Sequence, residues 1–581
     1  MDIQRTILIV ALAVVSYVMV LKWNEDYDKP QAVQSNPVAT QQSTSDIPTA
    51  SNTASNNDDV PTAINSSDTP VAVANTVVSD NLITVKTDIM SIKIDPRGGD
   101  IVDNDLLLYA MNKSQPDIPF KLLENNTARL YVAQSGLVGT NGPDATIKGR
   151  PLYSTTQSSY QLVDGQDQLV VDLTLSKDGV NYIKRFTFYR GLDSSCSAKK
   201  IAELQTSCLN KKAYEVDVKF IVQNTSSQAW NGNFYTQIKR DKSGDPSSAG
   251  AASTATYLGA AVWTPSEPYT KIKMGTMDDK NFSEKVQGGW VAWLQHYFVT
   301  AWVSDKDQHN TVTTRKDNAG NYIVGLMSNQ VTIPAGQTAE MGATLYSGPK
   351  IQSHLKELSP GLELTVDYGF LWFLAQPIFW LLNIIHSLFG NWGWSIIGLT
   401  VLIKLIFFPL SAASYRSMAR MRAVAPKMQA LKEQYGDDRQ KMSQAMMELY
   451  KKEKINPLGG CLPLLLQMPV FLALYWVLLE SVEMRQAPWM FWITDLSSKD
   501  PFFILPIIMG LSMFVQQHLN PTPPDPMQAK VMKLLPIIFT FFFLWFPAGL
   551  VLYWVVNNVL SIAQQWVITR KIEKAAAEKA H

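Results

Sequence analysis

The sequence predicts a membrane protein of two unlike parts. One is a large exported all-β domain. The other is an α-helical core of five transmembrane helices, accompanied by an N-terminal anchor helix. Three observations carry this reading. Residues 82–365 alternate apolar and polar positions with period two, the mark of sheets with one buried face. Residues 391–569 consist of apolar blocks, most of them near the ~20 residues that a helix needs to cross a bilayer. Residues 6–21 form a separate apolar run behind Arg5.

That first run lacks a small-x-small cleavage site at its end, where Tyr17, Met19, Lys22 and Trp23 stand. Residues 1–23 are therefore expected to be an uncleaved signal anchor with its N-terminus inside. Residues 24–81 are rich in Ser, Thr, Asn, Asp and Pro. Too little apolar surface is available there to offset ordering entropy, so a disordered tether is expected.

In the β part, "AYEVDVKFIV" sets Tyr214, Val216, Val218, Phe220 and Val222 on one face. "QLVVDLTL" does the same with Leu169, Val171, Leu173 and Leu175, and "AEMGATLY" with Met341, Ala343 and Leu345. Turn clusters such as "PRGGD" and "KSGDP" separate the runs. "GGWVAWLQHYFVTAWV" (288–303) fits a packed core better than a binding groove. The chain has three cysteines, too few for a disulfide scaffold. Cys196 and Cys208 could pair in an oxidising compartment, whereas Cys461 lies in an apolar block. The six histidines are scattered without ligand spacing, and there is no Gly-rich phosphate loop or convincing carboxylate pair. No cofactor is expected.

In the apolar part, residues 366–390 are aromatic and interrupted by Pro377, which favours an amphipathic helix lying in the interface. Spans are expected at about 393–413, 459–481, 501–519, 532–547 and 549–568, the fourth unusually short. The net charge of +1 is unevenly placed. Residues 414–456 hold ten Lys/Arg against five Asp/Glu, residues 480–500 two against four, and the basic tail 570–581 four against two. The positive-inside rule places 414–456 and the tail in the cytoplasm, and 480–500 and the β domain outside. In a Gram-negative bacterium that outside compartment is the periplasm.

Segment 414–456 is expected to be a basic helical hairpin. Met421, Val424, Met428, Leu431 and Tyr435 form a coiled-coil seam, and "YGDD" offers Asp437 or Asp438 as a cap for the second helix, whose seam is Met442, Met446 and Leu449. The two seams can pack on each other. Together with Arg416, Arg420 and Arg422 they can also make an adaptable surface for apolar segments, RNA or anionic lipid.

The spans carry polar residues at matched spacings. Thr400, Lys404 and Ser411 fall within about 40° on one ideal helix face. Tyr553, Asn557 and Gln564 repeat that spacing, and Gln467, Gln516 and Gln517 add polar positions elsewhere. Interhelical hydrogen bonding with a snorkelling lysine would explain them. A wet groove open to the cytoplasm and centred on Lys404 explains them better, because no Asp or Glu stands in the interior of the spans to neutralise the charge.

Long motifs now become recognisable. "YGFLWFLAQPIFWLLNIIHSLFGNWGWSII", "PLSAASYRSMARMR", "YGDDRQKMSQAMMELYKKEKINPLGGCLPLLLQMPVFLALYWVL" and "LWFPAGLVLYWVVNNVLSIAQQ" resemble the bacterial YidC family of membrane protein insertases. The resemblance runs the length of the chain. It implies insertion of nascent membrane proteins, alone or beside the Sec translocon, without ATP or cofactor and without enzymatic chemistry. It further implies an inner-membrane location and a hydrophilic groove open to cytoplasm and lipid but closed to the periplasm. The family's positive groove residue falls on Lys404, its polar neighbour on Thr400, its groove glutamine on Gln467 and its substrate-facing aromatic pair on Tyr553 and Trp554. The basic hairpin would meet ribosome or substrate first, and the outer domain would be a mutarotase-like β-supersandwich. One departure stands out. The family usually carries arginine where this chain has Lys404. The charge is kept, but the bidentate fork is lost.

Two rival functions are weaker. A Ser-Lys hydrolase would pair Lys404 with Ser411, but these lie about 10 Å apart along a continuous helix. A secondary transporter is disfavoured by intact spans, no internal repeat and no intramembrane carboxylate.

Overall fold

The computed structural model describes residues 82–144, 149–196, 206–248, 256–436, 438–452, 462–519 and 526–580. The expected anchor and tether, Asp437 and Cys461 lie outside them. The chain divides into two compact units between Thr365 and Val366.

The first unit is a β-sandwich. Among its described residues, one sheet has eleven strands and the other has eight. The smaller sheet runs, in spatial order, Thr270–Ile272, Gly259–Val262, Trp290–Leu294, Phe298–Ser304, Thr338–Pro349, Glu215–Asn224, Val180–Tyr189 and Gln168–Lys177. Tyr214, Val216, Val218, Phe220 and Val222 are all fully buried, as an inward-facing row with period two requires. Trp290, Trp293 and Trp302 are also fully buried, so the aromatic run 288–303 is core. Short helices α1 (Met274–Asp279) and α2 (Gln352–Leu358) decorate the sandwich. A disulfide joins Cys196 to Cys208.

The core of this unit also holds charges. Arg150 bonds Asp100 and, at 3.0 Å, Asp144 Oδ1. Lys184, with no exposed surface, donates to the carbonyls of Gly98 and Ser135, each at 2.9 Å. Burial pushes the Lys184 ammonium down to about 7, against the pull of Asp100 and Asp144.

The second unit is helical: α3 (Trp372–Phe389), α4 (Trp392–Ile406), α5 (Phe408–Ala423), α6 (Ala425–Tyr435), α7 (Arg439–Lys452), α8 (Leu462–Glu480), α9 (Ile504–Leu519), α10 (Pro526–Phe543) and α11 (Ala548–Ala580). Its surface is apolar around much of its circumference. Trp380 and Leu388 on α3, Ile507 and Leu511 on α9, and Ile537 and Phe541 on α10 are all exposed. A soluble protein rarely shows so much bare apolar surface.

Several expected boundaries change. Residues 393–413 are not one straight span: α4 ends at Ile406, and α5 departs at 67°. Pro409 accounts for the break. It has no N–H to offer Leu405, and its ring clashes with the preceding turn, so the chain kinks or starts a new helix there. The fourth helix begins earlier than expected, at Pro526, and ends at Phe543, leaving 544–547 as a turn where no loop was expected. The last helix continues through the basic tail to Ala580. Residues Gly369–Phe389 form the one described helix long and apolar enough by itself to cross a membrane; α4 with α5 meets that test only as a bent pair. The segment expected to lie in the interface therefore also has the dimensions of a span.

Close packing and polar links hold this unit together. A Cβ at Gly510 would lie 1.9 Å from Thr540 Oγ1, so only glycine lets α9 approach α10 there. Pro536 leaves the carbonyl of Met532 without its helical donor, and the Gln517 amide from α9 fills the vacancy.

Candidate functional site

The site is built where α4, α8 and α11 converge. The bend places Lys404 in the last turn of α4 rather than mid-span. Its ammonium donates to Ser561 Oγ on α11 at 2.8 Å. Ser561 Oγ in turn donates to the Asn557 carbonyl at 2.7 Å, one helical turn earlier. A hydroxyl can accept and donate at once, so both bonds coexist. Asn557 Oδ1 accepts from Gln467 Nε2 of α8 at 2.5 Å. One cation, one hydroxyl and two amides thus link three apolar helices. Among the described residues no carboxylate lies within ion-pair distance of Lys404.

The other expected residues are distributed as follows. Thr400 is buried one turn before Lys404, its hydroxyl bonded back to the Ile396 carbonyl at 2.7 Å. Ser411 lies beyond the bend on α5, so the single face expected for Thr400, Lys404 and Ser411 does not exist. The hydroxyl bonded to Lys404 belongs to Ser561, not Ser411, which removes the geometry of the hydrolase reading. Tyr553 is only 1% exposed and stacks on Phe471, ring centroids 6.1 Å apart. Trp554 is half-buried and meets Phe471 edge-on at 4.9 Å. Gln564 reaches the Phe408 carbonyl at 3.5 Å, away from the lysine.

Ser561 is the residue that sequence reasoning missed. It stands four residues after Asn557 and eight after Tyr553, on the same face of α11. The i, i+4, i+8 pattern was the available signal. The neighbouring face of α11 carries further bonds: Asn558 to Ser512 Oγ at 3.0 Å and Gln565 to the Leu519 carbonyl at 3.0 Å. At the end of α11 nearest Ala548 the unit is tied shut by the loop 481–500. Ala548 N–H donates to Ser498 O at 2.8 Å and Gly549 N–H to Leu496 O at 2.9 Å. Asp500 accepts from the Phe502 and Leu505 N–H groups and from the Trp492 indole.

The hairpin consumes much of its own methionine seam. Val424 and Met428 are buried, with Met421, Met446, Leu449 and Tyr450 packed against them. Asp438 caps α7 by accepting from the Gln440 and Lys441 N–H groups, each at 3.1 Å. Met442 is half-buried, while Met447, Arg416 and Arg420 are exposed. The side chain of Arg422 is outside the described residues.

Comparison with known proteins places the chain. The "60Kd inner membrane protein" family matches residues 384–575, and the "YidC periplasmic domain" family matches residues 82–192 and 204–381. The membrane protein insertase YidC of Pseudomonas aeruginosa (strain LESB58) is 68% identical, over 99% of this chain and 100% of its own. The chain belongs to the YidC family of membrane protein insertases. The relative from Azotobacter vinelandii is 66% identical over 99% of this chain and 100% of its own. A crystal structure of an active YidC insertase with its first transmembrane domain resolved overlaps 84% of this chain and 92% of its own, at 17% identity and a TM-score of 0.36. Inner-membrane residence, a periplasmic β-sandwich and a role in insertion rather than enzymatic turnover follow from membership.

Proposed function

We propose that this chain inserts nascent membrane proteins through the polar seam joining α4, α8 and α11. The observation that carries the reading is the Lys404–Ser561–Asn557–Gln467 network: a cation with no carboxylate partner among the described residues, set among apolar helices. Such a charge costs a few kcal/mol even on a lenient insertion scale, so its retention points to use. A substrate's short polar flank enters the seam, where Lys404 and the amides replace hydration that lipid denies. Its apolar segment leaves sideways between the helices, driven by apolar transfer of roughly 25 cal/mol per Å². No chemical step is involved.

The charge asymmetry supports five core spans and an N-terminal anchor, with the hairpin and tail in the cytoplasm. Exposed Arg416, Arg420 and Met447 make the hairpin a first contact for the ribosome, emerging apolar segments and anionic lipid. The Sec translocon is the expected companion for larger substrates. The test is reconstitution of the purified chain into liposomes with a labelled single-span substrate. Protease-protected insertion without ATP, and without solute flux or substrate cleavage, is expected. Flux or cleavage without insertion refutes the proposal.

A further inference from the structure

The outward face of the smaller sheet holds a cavity of about 680 Å³ that lies apart from the Lys404 network. Its floor is the pairing of strand Glu215–Asn224 with Thr338–Pro349, in the register Glu215↔Tyr346, Asp217↔Thr344, Lys219↔Gly342. Because Val216 and Val218 point inward, Glu215, Asp217 and Lys219 point outward. Gly342 makes the hollow. A Cβ there would stand 2.5 Å from the Val218 carbonyl. Helix α2 contributes Glu357 and Leu358 to the wall.

Five carboxylates and three lysines line this space. Two of the lysines are occupied: Lys211 with Glu357 at 3.4 Å, and Lys212 with Asp217 at 3.6 Å. Asp217 also accepts from Tyr189 and, at 2.7 Å, from Thr344. Glu215 differs from the rest. It is only 8% exposed, lines the cavity, and has no hydrogen bond or ion pair to its carboxylate among the described residues. An unpaired buried carboxylate is costly, and burial pushes it up to about 7.

The lining selects the ligand. Excess carboxylate disfavours an anion, and the polar walls disfavour an apolar compound. No group of three or more metal-binding side chains suited to an ion exists among the described residues. The acids are spread out: Glu340 pairs with Ile221, six residues along the strand from Glu215, or roughly 20 Å at strand rise. The volume suits a small molecule. We propose that this trough binds a linear polyamine, whose spaced ammonium groups meet the spaced carboxylates, with Glu215 as the buried anchor.

The probe is spermine, the longer tetramine that can reach from Glu215 towards Glu340, titrated calorimetrically into the full chain in nanodiscs of neutral lipid at pH 8. Saturable binding is expected, at least tenfold weaker in Glu215→Gln and weakened several-fold in Glu340→Gln, an exposed site that carries no folding risk. Affinity should rise from pH 6 to pH 8 as Glu215 ionises beside Lys212, Asp217 and Glu357. Absence of saturable binding below millimolar spermine overturns the proposal. So does equal binding of magnesium chloride or 1,8-octanediol, or unchanged affinity in both variants.

Discussion

Lys184 offers a prediction that can be worked through in numbers. In the unfolded chain a lysine holds its proton to about 10.4. In the folded sandwich, burial brings the Lys184 ammonium down to about 7. Between these values the unfolded state binds more protons, so stability rises with pH. At about 1.36 kcal/mol per unit, the whole interval amounts to about 5 kcal/mol, and pH 7 to pH 9 alone to about 2 kcal/mol. Lys184→Met removes this rise while keeping a side chain that packs on Phe186 and Phe220, whose ring centroids lie 5.4 and 5.1 Å from the ammonium. The variant also removes one of two donors from the Gly98 and Ser135 carbonyls, which keep Arg150 Nη2, a cost that does not vary with pH. The assay is hydrogen exchange of strand Val180–Tyr189 in the full-length chain, converted to opening free energies at pH 7 and pH 9. The wild type should gain about 2 kcal/mol more than the variant across that interval. Equal gains would mean that Lys184 titrates alike in the folded and unfolded states, contrary to the expectation.

Three further outcomes are expected. Glu215 has the opposite sign: its folded carboxyl keeps its proton to about 7, so ionisation costs stability as pH rises from 4.5 towards 7. Glu215→Gln should therefore be about 3 kcal/mol more stable than wild type at pH 8 and unchanged at pH 4, by the same exchange measurement. Ser561→Ala removes a charge-assisted bond worth about 1.5–3 kcal/mol, and should slow insertion about fivefold in liposomes while Ser561→Thr retains activity. Replacing Cys196 and Cys208 by serine opens a loop closed by residues twelve apart in sequence, and should cost about 3 kcal/mol in urea unfolding, matched by reduction of the wild type.

Legibility in the sequence differed sharply between the units. Period two revealed the inward row from Tyr214 to Val222 because each apolar residue has only one face to go to. Lys404 was visible because a cation in an apolar run is rare. Its partner is harder to see: Ser561 is the one serine of α11, but its i, i+4, i+8 place after Tyr553 and Asn557 competes with other polar spacings on the same helix. Gln564 matches the Thr400–Ser411 spacing and so draws the eye first. That spacing assumed a straight helix, and Pro409 voids it by starting a new one. The methionine seam was legible as a repeat. Which of its members stay exposed depends on how α6 meets α7, a tertiary fact that sequence spacing does not encode.

In the proposed mechanism Lys404 acts on substrate as a point charge. At 4 Å, a Lys–Asp pair gains about 1 kcal/mol in water and about 4 kcal/mol at the effective dielectric of a partly shielded site. The decisive measurement compares wild type and Lys404→Glu in liposomes, using one substrate with an acidic outer flank and its counterpart with that flank made basic. At least a tenfold slower insertion of the acidic form by the variant is expected, relieved when the flank is basic. Equal ratios for both flanks would contradict it.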